Sequence, residues 1–215
     1  MKVLLINGSA RHKGNTFLAL TEIANTLEKE GIESEIVQIG AKAVRGCIAC
    51  GKCSVQVAVE SGVPQLPNRC VFDDDICNQI SAKMKECDAL VVGSPVYYGQ
   101  PNGSLLSLVQ RMFYSAGAYF VQKPAAAVAI CRRGGATAAL QTMNMPFEMM
   151  NMPVVSSQYW NIAYGRSEGE VSLDKEGMQT MRTLAKNMAY LLKATANQPR
   201  PKYETRQPMN FIREN

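Results

Sequence analysis

The first forty residues constrain the fold most strongly, because they alternate an apolar strand, a polar loop, a helix and a second strand. Residues 2–7 (KVLLIN) form a short run of mostly branched apolar side chains that ends at Gly8, which is typical of a buried parallel strand. From Thr16 onward, apolar residues recur at helical spacing until Gly31. Residues 34–39 (SEIVQI) are predicted to form the second strand. Together these segments predict a right-handed βαβ unit.

The rest of the chain continues this alternation. Strands are predicted at 88–93, 124–130 and 153–160, and helices at 73–87, 102–115, 135–150 and 174–194. Alternating strands and helices give a parallel sheet covered on both faces. We therefore predict an α/β fold of the flavodoxin-like doubly wound type, with five parallel strands in the order 2-1-3-4-5. Residues 1–196 are predicted to form one domain with a cysteine-rich insert at about 40–72, followed by a tail at 197–215.

Length and charge narrow the class of protein. A chain of 215 residues is long enough for one domain that buries most of its apolar surface. The net charge of +5 is spread without a run of Lys and Arg, so the sequence predicts no nucleic-acid partner. No apolar run approaches the roughly 20 residues that span a bilayer, and the start lacks the pattern of a signal peptide. We expect a cytoplasmic protein with no membrane partner.

The loop after the first strand, GSARHKGNT at 8–16, predicts an anion site. It opens a helix, and free N–H groups and the helix dipole favour negative charge there. The loop lacks the lysine of a phosphate-binding Walker loop and the spacing of a dinucleotide-binding loop, so we predict a single phosphate monoester. The alternative is a capped helix start without a ligand. The candidate residues are Ser9, Arg11, Gly14, Asn15 and Thr16.

Two further loops follow predicted strands and would reach the same edge of the sheet. The first combines two tyrosines with two prolines, which predicts a stiff platform for a flat heterocycle; the alternative is a turn whose tyrosines pack on the core. The second loop has two adjacent arginines and a flexible glycine backbone, which predicts positive charge at the edge of a ligand. The alternative is that the two arginines are solvated on a surface turn. The candidate residues are Ser94, Pro95, Val96, Tyr97, Tyr98 and Gly99 in the first loop, and Arg132, Arg133 and Gly134 in the second.

These three motifs together carry a family resemblance. Residues 1 to about 160 resemble the flavodoxin-like NAD(P)H-dependent FMN reductases, through GSxRxxGNT at 8–16, SPVYYG at 94–99 and the arginine–glycine loop at 132–135. The resemblance implies an FMN phosphate on the first loop and an isoalloxazine ring against the other two. It also implies a homodimer or homotetramer.

The same resemblance implies a reaction. NAD(P)H would reduce bound FMN, which would then pass electrons to a quinone, azo compound, flavin or similar acceptor. The chemistry is carried by the flavin, so no catalytic side chain is predicted. The alternative is an electron carrier that exchanges electrons with a redox protein and turns over no small molecule.

The insert resembles a narrower branch of the family, the iron–sulfur flavoproteins. Cys47, Cys50 and Cys53 have the C-x2-C-x2-C spacing of bacterial ferredoxins, and Cys70 is the predicted fourth ligand. The sixteen residues between Cys53 and Cys70 depart from that branch, which usually keeps the fourth cysteine close. Three interpretations stay open at this point: a [4Fe–4S] cluster, a structural zinc ion, or free thiols.

Overall fold

The computed structural model describes residues 1–54 and 67–204, which form a sheet with helices on both faces. The strands are β1 (Lys2–Asn7), β2 (Glu33–Gln38), β3 (Ala89–Tyr97), β4 (Gln100–Pro101), β5 (Ala125–Cys131) and β6 (Ile162–Tyr164). The helices are α1 (Asn15–Lys29), α2 (Cys77–Lys85), α3 (Gly103–Ala116), α4 (Ala136–Met149) and α5 (Lys175–Thr195).

The sheet has the order β2-β1-β3-β5-β6, and these five strands are all parallel. The two-residue strand β4 pairs antiparallel with the end of β3 and adds a hairpin beyond the sheet. Apart from this hairpin strand, the order is the predicted 2-1-3-4-5. The chain therefore reverses its direction of winding between β1 and β3, and the carboxyl ends of these strands face one crevice.

The core lies on both sides of the sheet, because successive strand residues point to opposite faces. In β1, Leu4 and Ile6 pack with α2, α3 and α4, whereas Val3 and Leu5 pack with α1 and α5. All four side chains are fully buried. This two-sided burial explains why the central strands are continuous apolar runs rather than alternating ones.

The predicted fifth strand at 153–160 is wrong in position. In that segment only Val154 forms an isolated bridge, to Ala125, and the strand itself is β6 at Ile162–Tyr164. The Ser157 hydroxyl donates to the carbonyl of Tyr159 at 2.7 Å. Local bonds of this kind compete with a strand ladder, so the chain turns before it joins the sheet.

Two other predicted boundaries also move. The helix predicted at 73–87 begins only at Cys77, because the Asp75 carboxylate accepts a hydrogen bond from the Cys77 N–H and the two preceding aspartates pair with arginines. The strand predicted at 88–93 runs on to Tyr97. The extra residues form the first arm of the β3–β4 hairpin, whose two-residue turn was not predicted.

The insert and the tail differ from the rest of the chain. Within the described part of the insert, the regular structure is one short 3-10 turn at Lys52–Ser54, which agrees with the predicted irregular segment. The tail contacts its own domain as far as Tyr203, since Gln122 donates to the carbonyl of Pro201 at 2.9 Å and Asn151 donates to the Tyr203 hydroxyl. Residues 205–215 lie outside the described residues. Among the helices that the structure describes, none is long and apolar enough to cross a membrane.

Asp174 joins the start of α5 to the end of β6 and provides a test of the fold. Its carboxylate accepts from the Gly177 N–H at 2.9 Å, as an N-cap, and from the Tyr164 N–H at 2.7 Å. Asp174→Ala should lower the free energy of unfolding by about 1–2 kcal/mol, because a helix cap is lost. The neighbouring exposed variant Lys175→Ala is the control and should change it by less than about 0.5 kcal/mol. Equal values for both variants in urea denaturation would contradict the assignment.

Candidate functional site

The phosphate loop, residues 8–16, ends in a helix start that no side chain caps. The first N–H of α1 with an acceptor in the helix belongs to Leu18, which donates to the carbonyl of Gly14 at 3.2 Å. The N–H groups of Asn15, Thr16 and Phe17 precede it and have no acceptor within the helix. Among the described residues these three donors have no hydrogen-bond acceptor, and at the positive end of a helix they form a candidate site for an anion.

The shape of this loop is fixed by close backbone contact with the neighbouring strand. The Gly8 N–H donates to the carbonyl of Gly93 at 2.7 Å. A Cβ at position 8 would stand 2.7 Å from that same oxygen and 2.6 Å from a methyl carbon of Leu105, so only glycine fits. Ser9 then forms a local turn, in which its hydroxyl accepts from the Arg11 N–H at 3.1 Å. The sequence alone did not indicate that Gly8 is required by packing.

The predicted phosphate residues differ in exposure and in the bonds that their side chains make. Arg11 is exposed, and Ser9 and Thr16 are buried residues of the loop and of the first helical turn. The Asn15 side chain is instead used to hold residues 167–171, because it donates to the Ser167 carbonyl at 2.8 Å and accepts from the Val171 N–H at 3.3 Å. Asn15 can therefore contribute its backbone N–H and the second N–H of its side-chain amide, and its predicted phosphate contact stays a prediction.

The β3–β4 hairpin carries the two tyrosines. Its turn residues Tyr98 and Gly99 both have positive φ, 51° and 78°, as a type I′ hairpin turn requires. This turn leaves Tyr98 fully exposed and Tyr97 half-exposed, so neither side chain packs in the core. Ser94 is a positioning residue, since its buried hydroxyl accepts from the Asn102 N–H at 2.8 Å. The ligand contacts predicted for Ser94 and for Pro95–Gly99 stay predictions.

The loop at 131–135 packs directly against this hairpin. Gly135 has a φ of 87°, and a Cβ there would stand 2.7 Å from the Cα of Gly99. The Cys131 thiol holds the loop by donating to the Gly134 carbonyl at 2.9 Å and accepting from the Arg133 N–H at 3.3 Å. Arg132 and Arg133 are exposed on the loop, and their predicted contact with a ligand stays a prediction.

The three loops therefore meet at one edge of the sheet. Asn102 completes the connection, because its side-chain amide donates to the carbonyl of Gly8 at 2.7 Å and so joins the hairpin to the phosphate loop. One end of the combined surface offers helix N–H groups and Arg11 for a phosphate. The other end offers the Tyr97–Tyr98 platform and the two arginines for a flat ring. This donor set fits a planar ring linked to a single phosphate.

A second feature is the cysteine cavity, a small cavity of about 20 Å³. Its lining includes Cys47, Cys50, Cys53 and Cys70. All seven cysteines of the chain are free thiols. Within residues 1–54 and 67–204, no three His, Cys, Asp or Glu side chains are close enough to hold a single metal ion. Four cysteine thiolates form the ligand set of a [4Fe–4S] cluster and of some structural zinc sites, so the residues that line the cavity have the chemistry that either group needs.

Polar side chains outside the insert place Cys70 beside the other three cysteines. The Asn78 side chain binds the backbone of Cys70 at two points, accepting from its N–H at 2.8 Å and donating to its carbonyl at 3.0 Å. Arg111, on α3, forms a buried ion pair with Asp75 and donates to the Arg45 carbonyl at 3.0 Å. Cys70 thus lines the same cavity as Cys53, although sixteen residues separate the two in the sequence. This role of Asn78 and Arg111 could not be predicted from the sequence, since both residues lie in ordinary helical patterns.

The remaining two cysteines are part of the core. Cys77 and Cys87 are buried, and burial raises the pKa of the Cys77 thiol to about 11. Both therefore stay protonated at neutral pH and pack as small apolar side chains.

An aromatic cleft of about 490 Å³ lies next to the 131–135 loop. Tyr159, Trp160 and Tyr164 line it, and each side chain is about half-exposed. Arg133 and Gly134 line the cleft as well, so it shares residues with the candidate ring site. Its volume lies within the range of small-molecule sites in proteins. The sequence analysis did not identify this cleft, because its walls come from segments far apart in the chain.

Comparison with known proteins identifies the family. The family model described as NADPH-dependent FMN reductase matches residues 1–167. The chain belongs to this family. An iron–sulfur flavoprotein of Methanocaldococcus jannaschii is 33% identical over 201 residues, which are 90% of this chain and 98% of that protein. An iron–sulfur flavoprotein of Archaeoglobus fulgidus is 28% identical over 214 residues, covering 92% of this chain and 98% of that protein. These relatives place the chain in the iron–sulfur flavoprotein branch, as the sequence motifs predicted.

A solved structure supports the fold independently. A flavodoxin from the domain Archaea superposes with a TM-score of 0.56 at 16% identity, covering 90% of this chain and 99% of that chain. The flavodoxin-like fold is therefore confirmed. As a member of the FMN reductase family, the chain is an FMN-binding flavoprotein that acts as an oxidoreductase or electron carrier.

The contact between Gly135 and Gly99 provides a test of the ring site. Gly135→Ala should weaken FMN binding by about tenfold or more, because a side chain at this positive φ is strained and its Cβ would displace the hairpin. Quenching of flavin fluorescence on titration into the FMN-free protein measures the affinity. Gly103→Ala is the matched control, since a Cβ there meets nothing within 4 Å. An unchanged affinity in Gly135→Ala would show that the two loops do not shape the ring site together.

Proposed function

We propose that this protein is an FMN-dependent oxidoreductase that takes a hydride from NAD(P)H and passes electrons to a quinone, azo compound, flavin or similar acceptor. The observation that carries the proposal is the meeting of the three loops, which supplies a phosphate site and a ring platform at one edge of the sheet. The family supports FMN as the ligand. When bound, FMN supplies the hydride and electron chemistry.

The residues of the chain would bind and orient this cofactor. The backbone N–H groups of residues 15–17, the hydroxyls of Ser9 and Thr16, and Arg11 would hold the phosphate. The backbone of Pro95–Gly99 would support the ring and meet its polar edges. Positive charge from Arg132 and Arg133 would favour an anionic reduced ring. No side chain is needed to transfer a proton before the hydride moves.

The aromatic cleft supports turnover of a small molecule. Its three half-exposed rings offer stacking surfaces to a planar acceptor, and Arg133 adds a positive charge at the rim. Because Arg133 and Gly134 belong to both sites, an acceptor in the cleft would lie next to the ring loops. We propose this cleft as the acceptor site.

The second candidate function is an iron–sulfur electron carrier that exchanges electrons with a redox protein. The observation that favours it is the cysteine cavity, which brings four thiols together. The curated relatives are named iron–sulfur flavoproteins, which supports the same cofactor here. Cys47, Cys50, Cys53 and Cys70 would hold the cluster.

A homodimer or homotetramer is also proposed. Met145 and Met149 on α4 and Tyr114 on α3 are large apolar side chains that are more than half exposed. Exposed apolar side chains of this size support contact with another copy of the chain.

Anaerobic mixing with NADPH or NADH separates the two functions. The oxidoreductase proposal expects either nucleotide to bleach the visible flavin band quickly and a quinone to be reduced over many turnovers. The electron carrier expects a flavin that neither nucleotide reduces but that a reduced redox protein does. Stopped-flow absorbance measures the first step, and steady-state nucleotide oxidation measures the second.

Substitution of Trp160 tests the acceptor site. Trp160→Ala should raise the KM for the quinone about tenfold, because one stacking surface of the cleft is lost, while the rate of flavin reduction by the nucleotide stays unchanged. Tyr190→Ala removes an exposed ring on α5 outside the cleft and is the control. An unchanged KM in Trp160→Ala would place the acceptor elsewhere.

Metal analysis after anaerobic purification tests the cysteine cavity. We expect about four irons per chain and no stoichiometric zinc. Cys50→Ser and Cys70→Ser should each lose the iron while FMN remains bound, whereas Cys87→Ala, in the core, should retain both. Iron that persists in Cys70→Ser would show that the fourth ligand is wrongly assigned.

A further inference from the structure

Arg111 is a buried cation beside the cysteine cavity. Its side chain is 1% exposed and lines the cavity together with the four cysteines. Asp75, its ion-pair partner, is also buried but does not line the cavity. The guanidinium is therefore the charged group on the cysteine side of this pair. A buried arginine of this kind normally has every N–H paired.

One N–H group of Arg111 has no partner. The terminal nitrogens donate to Asp75, to the Arg45 carbonyl at 3.0 Å and to the Phe72 carbonyl at 3.4 Å. The Nε atom is buried and makes no hydrogen bond to any residue that the structure describes. An unpaired N–H in a buried site carries a desolvation cost, so a missing acceptor in the cavity is the physical expectation.

The surroundings of Arg111 indicate where that acceptor lies. Arg111 and Cys70 both line the cysteine cavity, whose volume is only about 20 Å³. The Cys70 sulfur is thus within reach of the guanidinium. The backbone of Cys70 is held by Asn78, so the sulfur cannot move away freely.

We propose that the Nε–H of Arg111 donates a hydrogen bond to the sulfur of Cys70 when that cysteine is a ligand of an iron–sulfur cluster, and that this bond raises the reduction potential of the cluster. The proposal rests on the cluster proposed above. Hydrogen bonds to ligand sulfur and nearby positive charge are established means by which proteins tune such potentials. Arg111 is therefore a positioning residue, and it acts through Cys70.

The redox step itself is simple. The oxidised cluster gains one electron and one negative charge, and no bond is formed or broken. In the protein the electron would come from reduced FMN or a redox protein, and in the test it comes from dithionite through dissolved mediators. A donor N–H stabilises the more negative sulfur of the reduced state more than that of the oxidised state. The equilibrium therefore shifts toward reduction.

The test is a mediated redox titration of the intact protein, followed by the EPR signal of the reduced cluster. Removing Arg111 alone would leave the Asp75 carboxylate buried and unpaired, so the main variant combines Arg111→Met with Asp75→Asn. Arg111→Lys is the second variant, because it keeps the charge but has no Nε–H. Arg69→Gln is the matched control, since Arg69 precedes Cys70 in the chain but is exposed and pairs with Asp73. Iron and FMN contents are measured for each.

At least one of the two Arg111 variants, the double variant or Arg111→Lys, should retain iron and FMN. In whichever retains iron, the equilibrium constant for reduction should fall about tenfold, which is about 59 mV for one electron. Arg69→Gln should change it much less. If an Arg111 variant retains the cluster and its reduction potential is unchanged, the inference is overturned while the proposed cluster stands. Loss of iron from both Arg111 variants also overturns the inference. A wild-type protein that binds no iron overturns the proposed cluster and the inference together, while the FMN proposal stands.

Discussion

Close backbone contact between glycines is the constraint on which the cofactor site depends. Gly8 lies against Gly93, and Gly135 lies against Gly99, at distances that leave no room for a Cβ at positions 8 and 135. The parallel pairing of β1, β3 and β5 brings the three loops to one edge, but these contacts set how closely they meet. A phosphate site and a ring platform become one site because the loops share this backbone surface.

The cysteine cavity depends on a different kind of interaction. The excursion between Cys53 and Cys70 is closed by side chains of α2 and α3 rather than by the insert itself. The Arg111–Asp75 pair is costly to bury, but it is accompanied by hydrogen bonds to the backbone of Arg45, before the four cysteines, and of Phe72, after them. A long insertion is therefore compatible with four converging thiols. The helices that pack on one face of the sheet also anchor the metal-site candidate.

Much of the fold followed from local patterns in the sequence. The apolar runs and helical spacings predicted five strands and five helices, and the motifs at strand ends predicted the family. The misplaced fifth strand shows the limit, since the Ser157 turn depends on a local hydrogen bond that competes with the ladder. The predicted ligand residues Asn15 and Ser94 also hold other segments of the chain through their side chains, which the sequence did not indicate. Ser167, the partner of Asn15, is 152 residues away along the chain, and Asn102, the partner of Ser94, is eight residues away. Residue type alone does not reveal such partners.

The central claim is that an uncapped helix start grips a phosphate and thereby holds a flavin against the Tyr97–Tyr98 hairpin. Riboflavin has the same ring without the phosphate, so comparing it with FMN isolates this contact. Titration of the flavin-free protein with both compounds is the most direct test. Two or more charge-assisted hydrogen bonds predict that FMN binds on the order of a hundredfold more tightly than riboflavin. Equal affinities, or no binding of FMN, would contradict the account.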